Sequence, residues 1–259
     1  MFHFLFLEVS LRLSADQKRF YAENGYLAVE GVFPPGHVAG LVQRFEELCQ
    51  DWQGEAARRV GAMQEPEVVR GQAGVATTDQ TVRSMSRIAA HEPLFHAHAT
   101  DSGFVDLVAD LIGAPISLYV DQAMLKPPHY GSEKPPHQDN AYFKIQPDDA
   151  VITCWGALDD ATVENGCMHY FPGSHRWGVV EHEKIPDTPH LVPKGGDLKA
   201  AVAVPIRAGG VIFHHGLTLH TSPPNRSDRW RRAYICHYVR SDAEMNALRP
   251  DSPPLLKVR

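Results

Sequence analysis

The 259-residue sequence predicts an α+β or mainly β protein in which helices precede a set of short strands. Apolar residues recur at helical spacing within residues 11–113. From about residue 114 to residue 240, short strand-like runs alternate with proline and glycine. We therefore predict a single domain over residues 1–259, in which a helical N-terminal part is followed by a β core.

The helical part is expected to begin with a capped helix. Ser14 is a suitable N-cap with Gln17 at the capping-box position, and Asn24–Gly25 is a typical helix end. A strand in "YLAVEGVF", a second helix in "GHVAGLVQRFEELCQDW" and one or two helices in "EPLFHAHATDSGFVDLVADLIG" follow. Residues 54–80 show no clear pattern, and we expect a loop or irregular segment there.

The second half predicts strands separated by turns. The runs that predict them are "ISLYVDQAMLK", "AVITCWGALDD", "CMHYFPGS", "AVAVPIRAGGVIFHH" and "RRAYICHYVR". Proline and glycine lie between these runs, which is typical of turns in a β-rich fold.

Composition and charge argue against several classes of protein. A net charge of −6 does not suit a general nucleic-acid partner. No apolar stretch is long enough to cross a membrane, and the opening "MFHFLFLEVS" lacks the basic region and cleavage site of a signal peptide. We therefore expect a cytoplasmic protein, monomeric or homodimeric, whose first ten residues form an extra strand or a frayed extension.

The four cysteines form neither a metal-binding nor a disulfide motif that we can identify. They are Cys49, Cys154, Cys167 and Cys236, and no two of them are spaced as CxxC. A thiolate zinc site is therefore not expected, and the cysteines are interpreted as reduced thiols.

A histidine and an aspartate, His137 and Asp139, lie two residues apart in "KPPHQDNAYF". If this segment is a strand, both side chains point to one face and can bind one metal ion. A site of two histidines and one carboxylate needs one more histidine and leaves positions open for substrate and oxygen. Among 15 histidines one such triplet is expected by chance, so a polar turn remains the alternative for this motif alone.

The second candidate segment, "GGVIFHHGLTLHTSPPNRSDRWRRAY", predicts a strand, a turn and a strand. A hairpin that is symmetric about Asn225 and Arg226 places His220 opposite Arg231, so both point to the same face. Ser222 shares that face by parity. A histidine, a hydroxyl and an arginine would then line one wall, and arginine suits the bidentate binding of a carboxylate.

Several stretches together resemble the phytanoyl-CoA dioxygenase family of Fe(II)/2-oxoglutarate oxygenases. In chain order they are "FYAENGYLAVEGVF", "HQD" (137–139), "WGALDDATVENGCMHYFPGSH", "GGVIFHHGLTLHTSPPN" and the arginine eleven residues after the distal histidine. The resemblance extends from about residue 13 to residue 239. It implies a double-stranded β-helix, which is a jelly-roll, cupin-like barrel, with flanking helices.

The resemblance also implies roles for individual residues. His137, Asp139 and His220 would bind Fe(II), and Arg231 and Ser222 would hold the distal carboxylate of 2-oxoglutarate. Trp155 and Met124 would line the cosubstrate pocket, and Arg87 matches a basic residue that the family uses upstream of the metal strand. By proximity to that strand and by parity, we add three substrate-side candidates, which are Gln122, Asn140 and Tyr142.

Alternatives remain open for several of these residues. His214 and His215 compete with His220 as the third ligand, although neither has serine two residues later and arginine eleven residues later. A slip of one residue in the hairpin would favour Arg232 over Arg231. Trp155 is also compatible with an ordinary core position.

The implied activity is that of a dioxygenase that uses Fe(II), 2-oxoglutarate and O2. It would hydroxylate a small-molecule substrate while 2-oxoglutarate is decarboxylated to succinate and CO2. Related halogenases have a small residue in place of the carboxylate ligand, so the presence of Asp139 favours hydroxylation. The acidic net charge favours a free small molecule over a CoA thioester. The alternative is a cupin-like barrel that binds a metal or ligand without turnover.

Overall fold

The computed structural model describes residues 12–69, 71, 81–129, 131–186, 188, 190–194, 201–245 and 255–259. The apolar opening of residues 1–10, for which the sequence predicts an extra strand or a frayed extension, lies outside these residues. None of the helices in the described part combines the length and the apolar character that a bilayer crossing requires.

The α-helices are concentrated in the N-terminal half, as the sequence predicts. Those that the structure describes are α1 Ala15–Asn24, α2 Pro35–Gln50, α3 Glu55–Arg59, α4 Pro66–Val69, α5 Pro93–Ala99, α6 Ser102–Ile112 and α7 Asn140–Phe143. Short 3-10 turns also occur at Ile88–Ala90, Asp148–Ala150 and Ser174–Trp177.

Strands dominate the second half of the chain. Those described are β1 Tyr26–Val29, β2 Met63–Gln64, β3 Val82–Ser86, β4 Ile116–Lys126, β5 Lys134–His137, β6 Ile145–Gln146, β7 Val151–Ala157, β8 Met168–Tyr170, β9 His182–Lys184, β10 Leu191–Pro193, β11 Val202–Val204, β12 Val211–His215, β13 His220–Ser222, β14 Arg231–Arg240, β15 Glu244–Met245 and β16 Leu256–Lys257.

Two antiparallel sheets carry most of these strands within the described residues. The larger one has the order β1-β12-β7-β14-β4-β3-β2, with β16 paired to β4, and the smaller one has the order β11-β8-β13-β5. Two strand pairs, β9 with β10 and β6 with β15, lie outside both sheets. The predicted mixture of helices and antiparallel strands is therefore confirmed.

The N-terminal helix is capped as its sequence predicts. The Ser14 hydroxyl accepts a hydrogen bond from the Gln17 backbone N–H (3.2 Å), and the Gln17 side chain accepts one from the Ser14 N–H (2.8 Å). The helix ends at Gly25, whose φ of 78° lies in the left-handed region that glycine adopts at low cost. Local sequence is thus sufficient to define both ends of α1.

Residues 54–80, predicted as a loop, contain short regular elements in their described part. Helices α3 and α4 and strand β2 all lie here, and residues 70 and 72–80 are outside the described residues. These elements are only two to five residues long, so no sequence periodicity could develop within them.

Helices α2 and α5 pack on the outer face of the large sheet. Phe45 of α2 contacts Phe95 of α5 (ring centroids 4.5 Å apart), and Phe95 contacts Tyr234 of β14 (5.0 Å). On the inner face of that sheet, Trp155 and Ile235 belong to a second apolar cluster that includes residues of the small sheet. The candidate site lies on this inner face, where both sheets contribute side chains.

The predicted hairpin register between His220 and Arg231 is wrong. His220 in β13 is paired with His137 and Tyr170 of the small sheet, whereas Arg231 in β14 is paired with Lys126 of the large sheet. The intervening segment carries the chain from one sheet to the other. Its two prolines, residues 223 and 224, have no N–H with which to extend a ladder, and so the strands separate.

The prediction that Asp139 lies on the same strand as His137 is also wrong. Strand β5 ends at His137, and Asp139 has helical backbone angles (φ −61°, ψ −40°) at the start of α7. The Asn140 N–H donates to the Gly216 carbonyl (2.9 Å), which fixes this turn. A turn rather than strand parity therefore brings the Asp139 carboxylate beside the His137 imidazole.

Candidate metal centre and cosubstrate pocket

Three side chains form a potential metal centre in the described part of the chain: His137, Asp139 and His220. Their ligand atoms all lie within 4.8 Å of one another. Oδ1 of Asp139 is 3.5 Å from Nε2 of His137 and 3.8 Å from Nε2 of His220. Two imidazoles and one carboxylate this close together are a donor set that suits one divalent metal ion, which they would hold with positions left open for other ligands.

Both imidazoles are oriented for coordination through Nε2. Nδ1 of His137 donates to the Pro135 carbonyl (2.8 Å), and Nδ1 of His220 donates to the Thr218 carbonyl (2.9 Å). Each of these bonds places the proton on Nδ1 and leaves the lone pair of Nε2 directed to the centre. Burial and the neighbouring His220 lower the pKa of His137 to about 3, so this ligand is neutral at physiological pH.

The second carboxylate oxygen of Asp139 is held by two donors from the large sheet. Oδ2 accepts hydrogen bonds from Oγ1 of Thr153 (2.6 Å) and from Nε2 of His214 (3.0 Å). Burial alone would raise the pKa of Asp139, but His220 and the hydrogen bond from His214 outweigh it and hold this pKa well below its usual range. Asp139 is thus an anion with one oxygen, Oδ1, free for a metal.

The hydrogen-bond network continues from Thr153 to the pocket wall. The Thr153 hydroxyl has one proton, which it donates to Asp139. The hydroxyl oxygen therefore accepts a hydrogen bond from Nδ1 of His237 (2.9 Å). The other ring nitrogen, Nε2 of His237, then accepts from the Gln122 amide (3.0 Å). Gln122 lines the same pocket as the metal ligands, and its role on the substrate side stays a prediction. The chain Gln122–His237–Thr153–Asp139 therefore links the pocket wall to the metal ligand.

We expect His214→Asn to weaken Fe(II) binding about tenfold, because residues that orient a metal ligand typically contribute 10–100-fold in affinity. His215→Asn is the matched control. His215 is the next residue of β12, lies outside the pocket lining and accepts from the Leu217 N–H (3.0 Å). Anaerobic Fe(II) titration of both variants checks this. Equal affinities would show that His214 does not position Asp139.

Arg231 and Ser222 meet at the other end of the pocket, although the predicted hairpin does not form. Nη2 of Arg231 is 3.3 Å from the Ser222 hydroxyl, and both residues are buried. The guanidinium lies 5.3 Å from the ring centroid of Trp155. Trp155 and Met124 also line the pocket, so the residues implied for the cosubstrate surround one space.

The surroundings of Arg231 suit a bound carboxylate. The side chain is 1% exposed, its Nε has no hydrogen-bond partner, and no carboxylate of the described residues forms an ion pair with it. Burial, with Arg83 as a second cause, lowers the pKa of Arg231 to about 10. An unpaired buried cation is costly, and a bound carboxylate would supply both the charge and the acceptors.

The structure corrects the prediction for Arg87. Its side chain is exposed, its backbone is left-handed (φ 57°), and it does not line the pocket. The basic residue of this region that does line the pocket is Arg83 of β3. Arg83 forms an ion pair with the buried Glu65 (3.2 Å) and donates to the Glu133 carbonyl (3.0 Å). Strand β3 turns the Arg83 side chain inward, whereas Arg87 lies beyond the end of that strand.

Asn140 and Tyr142 lie beside the metal centre but outside the pocket lining. The Asn140 side chain binds the Ile145 backbone through both its amide and its carbonyl, so its contacts are those of a structural residue. The Tyr142 ring contacts His137 edge-on (5.8 Å), and its hydroxyl accepts from the Leu191 N–H (2.8 Å). Asn140 is therefore corrected from a substrate-side group to a residue that fixes a turn.

Sequence reasoning missed His214, Thr153 and His237 as partners of the metal site. From the sequence, His214 is expected only as a competing ligand, and neither Thr153 nor His237 is a candidate. The parity of β14 was a usable signal, because His237 is six residues after Arg231 and so points to the same face of the strand. The parity of β7 was a similar signal for Thr153, which is two residues before Trp155 and points to the same face of that strand.

Comparisons with known proteins agree with this geometry. Residues 21–233 match the family described as phytanoyl-CoA dioxygenase. A Caenorhabditis elegans protein named "Probable phytanoyl-CoA dioxygenase" is 30% identical over 242 residues, which cover 89% of this chain and 76% of the relative. The human protein "Phytanoyl-CoA dioxygenase, peroxisomal" is 25% identical, with 89% of this chain and 69% of the relative covered.

Solved structures show the same similarity. The "non-heme alpha ketoglutarate dependent carbocyclase SnoK from nogalamycin biosynthesis" has 28% identity and a TM-score of 0.69, with 90% of this chain and 86% of that chain covered. The apo form of EctD from S. alaskensis has 22% identity and a TM-score of 0.74, with 99% and 88% covered. The second likeness, at this identity, supports the fold alone.

The triad, a buried arginine with no carboxylate partner among the described residues, and these relatives define the class of protein as an oxygenase that depends on iron and 2-oxoglutarate. The chain belongs to the phytanoyl-CoA dioxygenase family. Iron at His137, Asp139 and His220 and 2-oxoglutarate as cosubstrate suit the donor set of the site.

Proposed function

We propose that this protein hydroxylates a C–H bond of a small, free molecule. One O2 and one 2-oxoglutarate would be consumed, and hydroxylated product, succinate and CO2 would be formed. The observation that carries the proposal is the complete site: three metal ligands together with a buried arginine that lacks an anionic partner among the described residues. Bound iron would supply the activation of O2 that couples the two oxidations.

The residues of the chain would divide the work as follows. His137, Asp139 and His220 hold the ion on one side and leave positions open on the other. Arg231 and Ser222 anchor the distal carboxylate of 2-oxoglutarate, so its other end reaches the ion. The network from Gln122 to Asp139 holds the carboxylate ligand through Oδ2 and keeps Oδ1 for the metal. The apolar lining, which includes Trp155, excludes water from the reacting atoms.

The same proposal assigns the barrel. We infer that the large and small sheets face each other as the two layers of a double-stranded β-helix. The support is that β5 and β13 of the small sheet and β14, β7 and β4 of the large sheet all contribute to one pocket. Rigid strands then hold His137 and His220 in place, and helices cover the outside.

Hydroxylation is preferred to halogenation because the carboxylate ligand Asp139 is present. A second candidate is oxidative ring closure, since the SnoK relative is named a carbocyclase. The third is the non-catalytic metal-binding barrel. These outcomes differ in product mass: hydroxylation adds one oxygen atom, ring closure removes two hydrogen atoms, and a non-catalytic barrel changes nothing.

We expect purified protein with Fe(II), 2-oxoglutarate and O2 to release succinate, and a metabolite extract to increase that release. Mass spectrometry of the consumed extract component, with 18O2 in a parallel reaction, identifies the product. An added 18O atom supports hydroxylation, and a loss of two hydrogens supports ring closure. If Fe(II) binds but no condition yields succinate, the non-catalytic alternative is correct.

A further inference from the structure

Four cationic side chains line the pocket, and three of them have a partner or a proposed ligand. The four are Arg83, Lys126, Lys134 and Arg231. Arg83 is paired with Glu65, and Arg231 is the proposed partner of 2-oxoglutarate. Nζ of Lys126 donates to the backbone carbonyls of Ser222 (2.9 Å) and Pro223, which lie beside Arg231. Lys134 is the lining cation without such an assignment.

Lys134 begins strand β5, three residues before the metal ligand His137. Its Nζ is 3.3 Å from Nδ1 of His190 and 5.0 Å from the ring centroid of Tyr142. The Tyr142 ring in turn contacts the His137 imidazole. Lys134 therefore lies next to the metal centre, on a wall formed by an imidazole and an aromatic ring.

No carboxylate of the described residues forms an ion pair with Lys134, and His190 is the acceptor that the structure gives it. Burial, Lys134 and Arg83 lower the pKa of His190 to about 4, so the imidazole is neutral near pH 7. A neutral imidazole and a ring face occupy two of the three N–H groups of the ammonium. One N–H and the positive charge remain available to a ligand in the pocket.

We propose that Lys134 binds an anionic group of the organic substrate and that the substrate is a monocarboxylate. This rests on the proposed function and extends it to the substrate class. A single cation beside a neutral imidazole and an aromatic ring matches one negative charge. It does not match the several phosphates of a CoA thioester, which would need a cluster of free cations at the mouth.

The electrostatics of the pocket agree with this assignment. Burial lowers the pKa of Lys134 to about 8, and the nearby Asp139 carboxylate opposes this shift only in part, so the side chain is mainly a cation at pH 7. A carboxylate next to it favours the charged form and offsets part of the cost of burial. In the proposed function 2-oxoglutarate is anchored elsewhere, by Ser222 and by Arg231, whose Nε has no hydrogen-bond partner.

The test uses Mn(II)- and 2-oxoglutarate-saturated protein and matched probes, which are hexanoate with hexanamide and benzoate with benzamide. Paramagnetic broadening of the probe protons measures binding near the metal. We expect both acids to bind more tightly than their amides, and Lys134→Met to raise the acid dissociation constants about tenfold, which is ~1.4 kcal/mol. Lys184→Met, an exposed lysine of β9, is the control that should change nothing.

Three results would overturn the assignment. In the first, the parent protein does not prefer the acids over their amides, or binds neither. In the second, Lys134→Met keeps the same preference for the acids as the parent. In the third, Lys134→Met binds 2-oxoglutarate ten times more weakly than the parent. The last would make Lys134 a cosubstrate ligand. Failure of the proposed function is seen separately, as a parent that binds neither Mn(II) nor 2-oxoglutarate before any probe is added.

Discussion

Asp139→Ala is expected to abolish iron- and 2-oxoglutarate-dependent turnover. The change removes one of three ligands and the anion that compensates the metal charge. It also leaves the buried donors Thr153 and His214 without their shared acceptor, Oδ2 of Asp139. Fe(II) titration under anaerobic conditions and succinate release in air provide the two measurements. Iron affinity and turnover equal to those of the parent would remove Asp139 from the metal site.

Asp139→Asn is the companion variant, because it keeps the shape of the side chain and removes its charge. It separates loss of a ligand from loss of folding, since the amide oxygen can still accept from Thr153 and His214. We expect it to fold as the parent does, to bind Fe(II) much more weakly and to lose turnover. Circular dichroism of both variants shows whether either one has lost its fold.

Arg231→Ala is expected to raise the 2-oxoglutarate dissociation constant by about thirtyfold or more, which is ~2 kcal/mol. The guanidinium can form two parallel hydrogen bonds to one carboxylate, and lysine cannot reproduce this geometry. In a buried site, truncation of one partner of such a pair typically costs about 2–5 kcal/mol, much of it from the other charge left unpaired. Fe(II) affinity should be nearly unchanged, because no metal ligand is removed.

Arg232→Ala is the matched control for Arg231→Ala. Arg232 is the next residue on β14, and its side chain binds Asp159 (2.8 Å) and Glu46 (2.7 Å) on the opposite face. We expect a small loss of stability and an unchanged affinity for 2-oxoglutarate. Calorimetric titration of 2-oxoglutarate into both variants, with Mn(II) in place of iron, measures the contrast. If only Arg232→Ala weakens binding, the cosubstrate anchor is misassigned.

Local geometry explains why some predictions from the sequence agree with the structure. The Ser14–Gln17 capping box acts within one helical turn, so four residues determine it. The grouping of His137, Asp139 and His220 was inferred from short spacings and a family resemblance, and the structure places all three together. The predicted backbone geometry of that grouping is nevertheless wrong, since Asp139 follows the strand and His220 does not face Arg231.

The grouping persists despite those errors because the motif specifies its residues without specifying the path of the backbone. The turn after His137 places the Asp139 carboxylate beside the His137 imidazole, as two residues on the same face of one strand would also have done. Likewise, Arg231 and Ser222 meet because two sheets face one pocket, although they do not lie on one ladder. Side chains that converge on a common ligand can do so from more than one backbone arrangement.

By itself, the sequence determined the class of fold elements, the capped N-terminal helix and the chemical identity of the three ligands and the arginine. Tertiary structure alone decided that His214 and Thr153 hold Oδ2 of Asp139, that Arg83 rather than Arg87 enters the pocket and that Lys134 lacks a carboxylate among the described residues. The physical reason is sequence separation: His214 and Asp139 are 75 residues apart, and no local period reports which strands become neighbours.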